Sequence, residues 1–423
     1  MRDKKIEIRV ASSKDKKSVR DLWEYSFSDT DRFVDYYFAE RFSPDNTVCL
    51  FSDDHLEAAL QLNPYNLVIS DVVTEVKYVV GVSVQPESRG QGYMSALIKE
   101  TLNMQYQNGE EFSILMPIDT RIYEKYGYAN CFFRHEFLMD LDRIDVKDTR
   151  YQVRRIDLQS VENAERDIHN LSQIYYDAVS RHHSFISRNS RYWKNRMAEL
   201  AVEDGQFFIA YDGKTPKGYA MIIAKTSDGI GNVVEMAFGD KDAYYALMKL
   251  IRSHVTQFKR VRINTPQLEE FLLMSGFDNK IEHRVQPFMM GRVIDAEKVL
   301  DVILYKTHIF GDKRQEKFND PEELAVEIKD PYIEENNIIA VCKDGKIVRM
   351  LREGKDDMSQ VGESAMANRL TMDIGALTQL YTKAITLRRL YQMGKVKMTG
   401  EKLYLFEKLF GTETGSSYVN DYI

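Results

Sequence analysis

Hydrophobic and polar positions alternate from the start of the chain. Ile6, Ile8 and Val10 are spaced by charged neighbours, the period of a half-buried strand. Beyond Ala11-Ser12-Ser13, the residues Val19, Leu22, Trp23 and Ser26 fall on one helical face. A second helix is expected over residues 31–42, where Phe33, Tyr36, Tyr37, Phe38 and Phe42 suit a packed core or one wall of a substrate pocket. Strand patterns follow at Thr47–Ser52, 55–63 and 74–84. An amphipathic helix then runs over about 92–107, with Met94, Leu97, Ile98 and Leu102 on one face. Residues 112–116 read as a buried strand broken by Pro117, 120–126 as a short helix, and 132–139 as a strand that closes a first unit near 145.

The pattern then repeats. A strand at 151–156 precedes a helix at 163–180, a charged helix at 188–200 and strands at 206–211, 218–224 and 232–238. A helix at 241–258 and a strand at 260–264 complete this second unit. The order echoes the first unit, and an internal structural repeat is expected although the sequences are not visibly alike. Gly239-Asp240-Lys241-Asp242 supplies no glycine-rich turn here. A third unit is expected from about 290, marked by Gly291-Arg292-Val293-Ile294-Asp295. It would hold a helix at 296–304, strands at 338–342, 346–351 and 370–373, and helices at 375–380 and 384–393. The 9 prolines and 22 glycines are thinly spread, so the units are expected to pack together rather than hang on linkers. The expected division is 1–147, 148–289 and 290–423.

Composition narrows the function classes. The chain has 423 residues and a formal net charge of −7, which argues against a general nucleic-acid binder. Its three cysteines, Cys49, Cys131 and Cys342, are too few and too scattered for a disulfide framework or a thiolate metal site. They read as reduced core thiols of a cytoplasmic protein. His182-His183 invites a metal reading, but neighbours on a helix point apart and no ligand cluster accompanies them, so no metal is expected. MRDKKIEIRV lacks the apolar stretch of a secretory leader, and no run nears the roughly 20 apolar residues of a membrane span.

The chemistry concentrates in Val79-Val80-Gly81-Val82-Ser83-Val84-Gln85-Pro86-Glu87-Ser88-Arg89-Gly90-Gln91-Gly92-Tyr93-Met94. A strand ends at Pro86, and a turn with two glycines opens an amphipathic helix. Backbone N–H groups gather at such a helix start beside about half a positive charge, which suits a pyrophosphate. Arg89 adds a full charge. The P-loop pattern is absent, and the dinucleotide pattern fails at Ser95.

This segment resembles the acetyl-CoA motif of the GNAT acetyltransferases, Gln/Arg-x-x-Gly-x-Gly/Ala. It matches as Arg89-Gly90-Gln91-Gly92-Tyr93-Met94 and departs only at Met94. The resemblance implies that the preceding strand splays from its neighbour, so that Val82 and Val84 offer backbone groups to pantetheine, with Gly81 marking a bulge. A second match, Ile122-Tyr123-Glu124-Lys125-Tyr126-Gly127-Tyr128, resembles the family's Phe/Ile-Tyr-x-x-x-Gly-Phe/Tyr. It implies that Tyr123 lies beside the CoA sulfur and protonates the leaving thiolate. An ordinary phenol pKa of about 10 suits that acid role. Tyr126 and Tyr128 read as packing residues, as does Cys131.

Over its full length the order of units resembles the Eis-like (enhanced intracellular survival) N-acetyltransferases. The implied fold class is α/β (α+β): tandem GNAT folds, each a mixed central sheet flanked by helices, then a sterol-carrier-protein-like α/β domain. The resemblance implies that the C-terminal carboxylate, here on Ile423, returns to the active site as general base. The apolar tail residues Tyr418, Val419, Tyr422 and Ile423, behind a flexible Gly-Thr-Glu-Thr-Gly-Ser-Ser stretch, fit a docked end. A free α-carboxyl has a pKa of about 3.3–3.7, so it would act through a water and by attracting an ammonium group, with Asp421 assisting. Trp23, Phe27, Asp29, Tyr36 and Tyr37 are the expected acceptor-side residues. The expected reaction is direct acetyl transfer from acetyl-CoA to a primary amine, on an aminoglycoside-like polyamine or a lysine side chain, in a homo-oligomer that is a hexamer by resemblance. The rivals are a CoA-sensing carrier of lipids or other hydrophobic ligands, using the third unit, and a dedicated protein lysine acetyltransferase.

Overall fold

The computed structural model describes residues 5–157, 161–276, 281–310 and 322–421. Strands Thr47–Ser52, His55–Ile69 and Val72–Val84 form a meander joined by two-residue turns, Asp53-Asp54 and Ser70-Asp71, all four residues at positive φ. Those paired left-handed residues match the right-handed twist of hairpin strands, and Asp tolerates that conformation better than most side chains. The middle strand runs 15 residues, past Asn63 where the sequence pattern suggested its end.

These strands belong to a sheet of 14 strands among the described residues. Its main path runs in the order Ile6–Val10, Thr47–Ser52, His55–Ile69, Val72–Val84, Phe112–Leu115, Glu282–Val293, Ala129–Asp140, Arg260–Ile263, Gly231–Phe238, Thr215–Ile223, Gln206–Asp212 and Gln152–Arg155. The two halves exchange a strand at the centre. Glu282–Val293 pairs antiparallel with Phe112–Leu115, Val293 facing Phe112. Ala129–Asp140 pairs antiparallel with Arg260–Ile263, Phe137 facing Ile263. Gly291, Arg292 and Val293, expected as markers of the third unit, therefore finish a strand inside the first unit's sheet.

Helices cover both faces of each half. Against the first half lie Lys16–Ser26 and Asp31–Tyr36, the latter continuing as a π-helix over Tyr37–Arg41. The wider π turn leaves Tyr37 and Phe38 both buried and brings Arg41 to Glu199 of the second half. Helix Tyr93–Gln107 packs on the opposite face through Leu97, Ile98 and Leu102, in one apolar cluster with Val79 and Tyr123. In the second half, helices Val161–Val179 and Ser190–Val202 take one face and Lys241–Arg252 the other.

The third unit is a sheet of five strands in the order Lys346–Arg352, Ile338–Lys343, Leu324–Lys329, Arg369–Asp373, Val396–Met398. Helices Ala296–Phe310, Ile374–Tyr381 and Leu403–Phe410 share a core with it through Leu300, Leu377 and Leu409, and that core is continuous with the first unit's around Phe112 and Cys131. The chain then returns to the large sheet. Ser417–Tyr418 runs parallel to Ser184–Ile186, which itself pairs with Leu67–Ile69. The C-terminal segment thus enters the seam between the two halves. Cys49, Cys131 and Cys342 are all buried, and burial pushes each thiol up to about 12.

Candidate active site

Val72–Val84 and Phe112–Leu115 run parallel, but only Val76–Val79 pair with Phe112–Leu115. Beyond Val79 and Leu115 they part, and Pro117, without an N–H, carries the second strand away. On the other edge, Ser83 faces Ala59 but Val80 faces Gln61, so one extra residue bulges at Gly81-Val82. Gly81 has φ of +61°, and a Cβ there would sit 2.1 Å from Gln61 Oε1 and 2.3 Å from Trp23 Cζ3. Glycine is required on both counts. The outward edge of Val82–Val84 has no strand partner among the described residues. Gln61 Oε1 is buried there without a hydrogen-bond partner among the described residues.

The strand ends in a 3-10 turn, Pro86–Ser88, and the chain passes through Gly90 (φ +82°) and Gly92 (φ +84°) into helix Tyr93–Gln107. Among the described residues no atom beyond the chain neighbours lies within 4 Å of a Cβ placed on either glycine, so the turn is open there. Gly92 is the N-cap, with no side-chain cap, and the first helical bond runs from Ala96 N–H to Gly92 O at 3.0 Å. Among the described residues nothing accepts from the N–H groups of Gly92, Tyr93, Met94 and Ser95. These orphan donors and the helix dipole form an anion cradle. Arg89, Gly90, Gln91 and Gly92 are exposed around it, Tyr93 is buried and Met94 half-buried. Arg89 Nε reaches Val84 O at 3.4 Å, and Gln91 Nε2 donates to Glu87 O at 3.3 Å. Donors, charge and open space together fit a pyrophosphate.

Tyr123 comes from helix Thr120–Glu124, whose start is capped by Asp119 accepting from Arg121 N–H at 3.0 Å. Its ring is buried against Leu60, Val79, Ile98, Leu115 and Tyr128. Val79 and Leu115 are the last paired residues of the diverging strands, so Tyr123 stands at the root of the wedge. Burial, and then Tyr128 and Tyr126, push its pKa up to about 12, which keeps it protonated at neutral pH. Its hydroxyl has no hydrogen-bond partner among the described residues and is free to donate. Tyr128 shares a 2.9 Å hydrogen bond with Ser113 Oγ, and Tyr126 is buried, both in packing roles.

The expected acceptor-side residues separate into two groups. Trp23 stacks on Tyr37 with ring centroids 4.6 Å apart, touches Phe27, and donates from Nε1 to Asp29 Oδ2 at 2.9 Å. This group backs the Gly81 bulge on the face opposite Tyr123. Tyr37 is fully buried and hydrogen-bonded to Asn63, a core residue first. Tyr36 turns outward and donates to Asn195 O of the second half at 3.2 Å. Asp421 is buried beside Arg188, Oδ2 to Nη2 3.7 Å. Burial raises its carboxyl pKa, and Arg188 offsets this only in part. Tyr422 and Ile423 lie outside the described residues.

Several residues here were not singled out from sequence. Arg41 bonds Glu199 at 2.8 Å and Tyr65 Oη at 3.3 Å, and Asp421 is near enough to raise the Tyr65 hydroxyl further, after burial and Glu199. Arg188 forms a two-pronged pair with Glu235 at 2.5 and 2.8 Å. The available signal was Glu235 itself, a lone carboxylate in the apolar strand Gly231–Phe238. His182 and His183 do not converge: His182 bonds Pro266 O at 2.7 Å, and His183 faces Ser70 Oγ at 3.1 Å.

Comparison with known proteins decides the class. Residues 7–131 match an acetyltransferase (GNAT) domain family, residues 184–293 match another family of the same description, and residues 312–417 match a sterol carrier protein domain. The chain carries two GNAT acetyltransferase domains and a sterol carrier protein domain. It is an acyltransferase by that composition, and GNAT domains use acetyl-CoA. The second GNAT match contains Glu282–Val293, the strand lent to the first GNAT sheet.

Solved structures share the whole fold. A conserved protein from Enterococcus faecalis V583 has a TM-score of 0.75 at 18% identity, covering 100% of both chains. A GCN5-related N-acetyltransferase from Anabaena variabilis has 0.74 at 20%, covering 99% of this chain and 100% of its own. Eis1 from Mycobacterium abscessus has 0.69 at 15%, with 99% and 100% covered. No curated protein matches the chain. The two GNAT domains differ where it matters. In the second, Asp240 caps helix Lys241–Arg252 with its own side chain, accepting from Ala243 N–H at 2.9 Å. A carboxylate thus occupies the place that the first domain leaves open to an anion.

Proposed function

We propose that the chain is an Eis-like N-acetyltransferase that transfers acetyl from acetyl-CoA to a primary amine, on a polyamine of aminoglycoside type or a lysine side chain. We keep 1–147, 148–289 and 290–423 as its units, with the exchanged strands crossing between them. We take it to work in the cytoplasm as a homo-oligomer, a hexamer by the family resemblance. One observation carries the reading: an uncapped anion cradle, a bulged strand with a free edge and an unpartnered protonated tyrosine meet at a single wedge.

Acetyl-CoA supplies the activated acetyl thioester. The N–H groups from Gly92 to Ser95, with Arg89, Gly90 and Gln91 around them, hold its pyrophosphate. The free edge at Val82 and Val84 pairs with the pantetheine arm and polarises the thioester carbonyl. Tyr123 gives its proton to the departing thiolate. The acceptor enters from the Trp23–Tyr37 face. Asp421 attracts its ammonium group, and the Ile423 carboxylate takes the proton that the attacking amine must lose, through a water. The acidic neighbour Asp29 and the aromatic surface of Phe27 suit a cationic acceptor.

The test is thiol release from acetyl-CoA with a panel of polyamines, aminoglycosides and lysine peptides, with products weighed by mass spectrometry. The reading requires acetylated amine from at least one class. Tight acetyl-CoA binding with no turnover on any of them would replace it with a CoA-sensing carrier. Turnover by a chain ending at Asp421 equal to that of the full chain would discard Ile423 as base while keeping the enzyme.

A further inference from the structure

The second GNAT domain carries a bulge and a narrower wedge at the position of the first domain's. Its strands Gly231–Phe238 and Arg260–Ile263 pair in parallel over Gly231–Val233, and one further bond runs from Met236 N–H to Asn264 O at 2.9 Å. Beyond it the Gln267 side chain bridges the gap, accepting from Phe238 N–H at 2.8 Å and donating to Phe238 O at 2.6 Å. On the other edge Glu235 faces Met221 but Val233 faces Ile222, so Val234 is the extra residue of a bulge, as Gly81 is in the first. Pro266 follows Arg260–Ile263 as Pro117 follows Phe112–Leu115. With the anion cradle closed by Asp240, this wedge has no evident cofactor role.

The C-terminal segment packs along the bulged strand of this wedge. Asn420 Nδ2 donates to Val234 O at 2.9 Å, the backbone carbonyl that the bulge exposes. Tyr418 Oη donates to Glu235 Oε2 at 2.8 Å, and Tyr219 Oη donates to Glu235 Oε1 at 2.5 Å. Arg188 completes this carboxylate's partners, lies 3.7 Å over the Tyr175 ring and pairs with Asp421. Glu235, Arg188 and Tyr418 are all buried. A cavity of about 140 Å³ beside the wedge is lined by residues 415–420 on one side and by Asn264, Thr265 and Pro266 on the other. Burying an Arg–Glu pair is costly unless its remaining hydrogen bonds are met, and here the tail supplies one of them. At the end of this clasp Asp421 stands 3.7 Å from Arg188, whose guanidinium lies 5.0 Å from the Tyr192 ring. That ring packs on Tyr65 of the first domain with centroids 6.3 Å apart, and Arg41 bonds the Tyr65 hydroxyl.

We propose that the cleft of the second GNAT domain is a binding site for the chain's own C-terminal segment, and that Glu235 and Arg188 are positioning residues for the tail carboxylates that serve the first domain's reaction. The second domain then works in catalysis without binding acetyl-CoA: it is the clasp that sets where Asp421 stands. This rests on the proposed acetyl transfer only for its consequence in turnover, not for the clasp.

Asn420→Ala removes a tail contact and leaves every partner of Glu235 in place, Tyr418→Phe removes the tail's bond to Glu235 itself, and denaturant unfolding of both checks that the chain stays folded. Hydrogen exchange at residues 417–421 and steady-state kinetics are read on both variants in the full chain. The expected result is exchange at least about tenfold faster and kcat/KM for the amine about tenfold lower, with KM for acetyl-CoA unchanged. A general loss of structure would move both KM values, so the split separates positioning from damage. Unchanged exchange overturns the clasp. Faster exchange with unchanged kcat/KM overturns its role in the reaction. If the wild-type chain acetylates no amine, the proposed function falls, and the exchange result still decides whether the cleft holds the tail.

Discussion

Arg292 donates from Nε to the carbonyl oxygen of Tyr126 at 2.7 Å, joining the strand lent by the second GNAT domain to the end of the helix that presents Tyr123. Tyr126 N–H in turn donates to Tyr123 O at 2.9 Å. The Arg292 side chain is wholly buried, and its Nη2 donates to both carboxylate oxygens of Asp330 of the third unit, at 2.9 and 2.8 Å. Asp330 also accepts from the N–H groups of Tyr332 and Ile333 and from Asn336 Nδ2. The exchanged strand, the first GNAT domain and the third unit's Asp330 loop therefore meet behind the proposed acid. Breaking a buried pair from one side costs about 3–5 kcal/mol, because the other charge is stranded. Asp330→Ala is expected to lose stability on that scale in denaturant unfolding. Adding Arg292→Met should recover a large part of it.

Gly81 carries the bulge. Gly81→Ala needs a side chain at positive φ where Gln61 and Trp23 already stand. The expected cost exceeds the roughly 1 kcal/mol of an ordinary glycine replacement. The lower Tm should come with weaker acetyl-CoA binding, since the free edge at Val82–Val84 would shift. Titration calorimetry with acetyl-CoA checks this.

Gly92→Ala tests the cradle separately. Space is open there, so the cost is backbone strain at φ +84° rather than a clash. Acetyl-CoA affinity should fall at least about tenfold, and the amine KM should not change. Asp240→Ala, the cap of the corresponding second-domain helix, should cost about 1 kcal/mol of stability and leave acetyl-CoA affinity as it was.

Burial is the first cause that raises the phenol pKa of Tyr123, Tyr128 and Tyr381, each to about 12 in the folded chain. The unfolded value is about 10. A raised folded-state value means that the stability gained from the protonated hydroxyls is fully present below about pH 10 and is lost as pH climbs through about 12. Unfolding followed by circular dichroism should show a steep fall across that window. The acid role of Tyr123 should impose no alkaline limb on kcat below about pH 10, where an ordinary tyrosine would begin to ionise.

The backbone geometry of the proposed cofactor side was legible in the sequence because it is local. A strand, a two-glycine turn and an uncapped helix lie within Val79–Met94, and the order of residues fixes their geometry. The short helix that carries Tyr123 was legible for the same reason. The strand exchange was not. Glu282 to Pro287 are all exposed and carry no apolar alternation, so Glu282–Val293 shows as a strand only through partners far away in sequence. Helix Leu403–Phe410 is apolar on most sides, which hides its period. Strand Leu324–Lys329 is likewise buried along nearly its whole length. The clasp at Glu235 was illegible as a site because Arg188, Tyr219, Tyr418 and Asp421 converge from separate segments. Only the carboxylate amid apolar strand residues hinted at it.

The most direct test of the central claim is the turnover of Tyr123→Phe measured beside its acetyl-CoA affinity. The hydroxyl has no partner among the described residues, so its removal should leave folding and acetyl-CoA binding intact. The account predicts kcat for amine acetylation lower by on the order of 10²-fold or more, the usual worth of a positioned general acid. A Tyr123→Phe chain with wild-type kcat would contradict it.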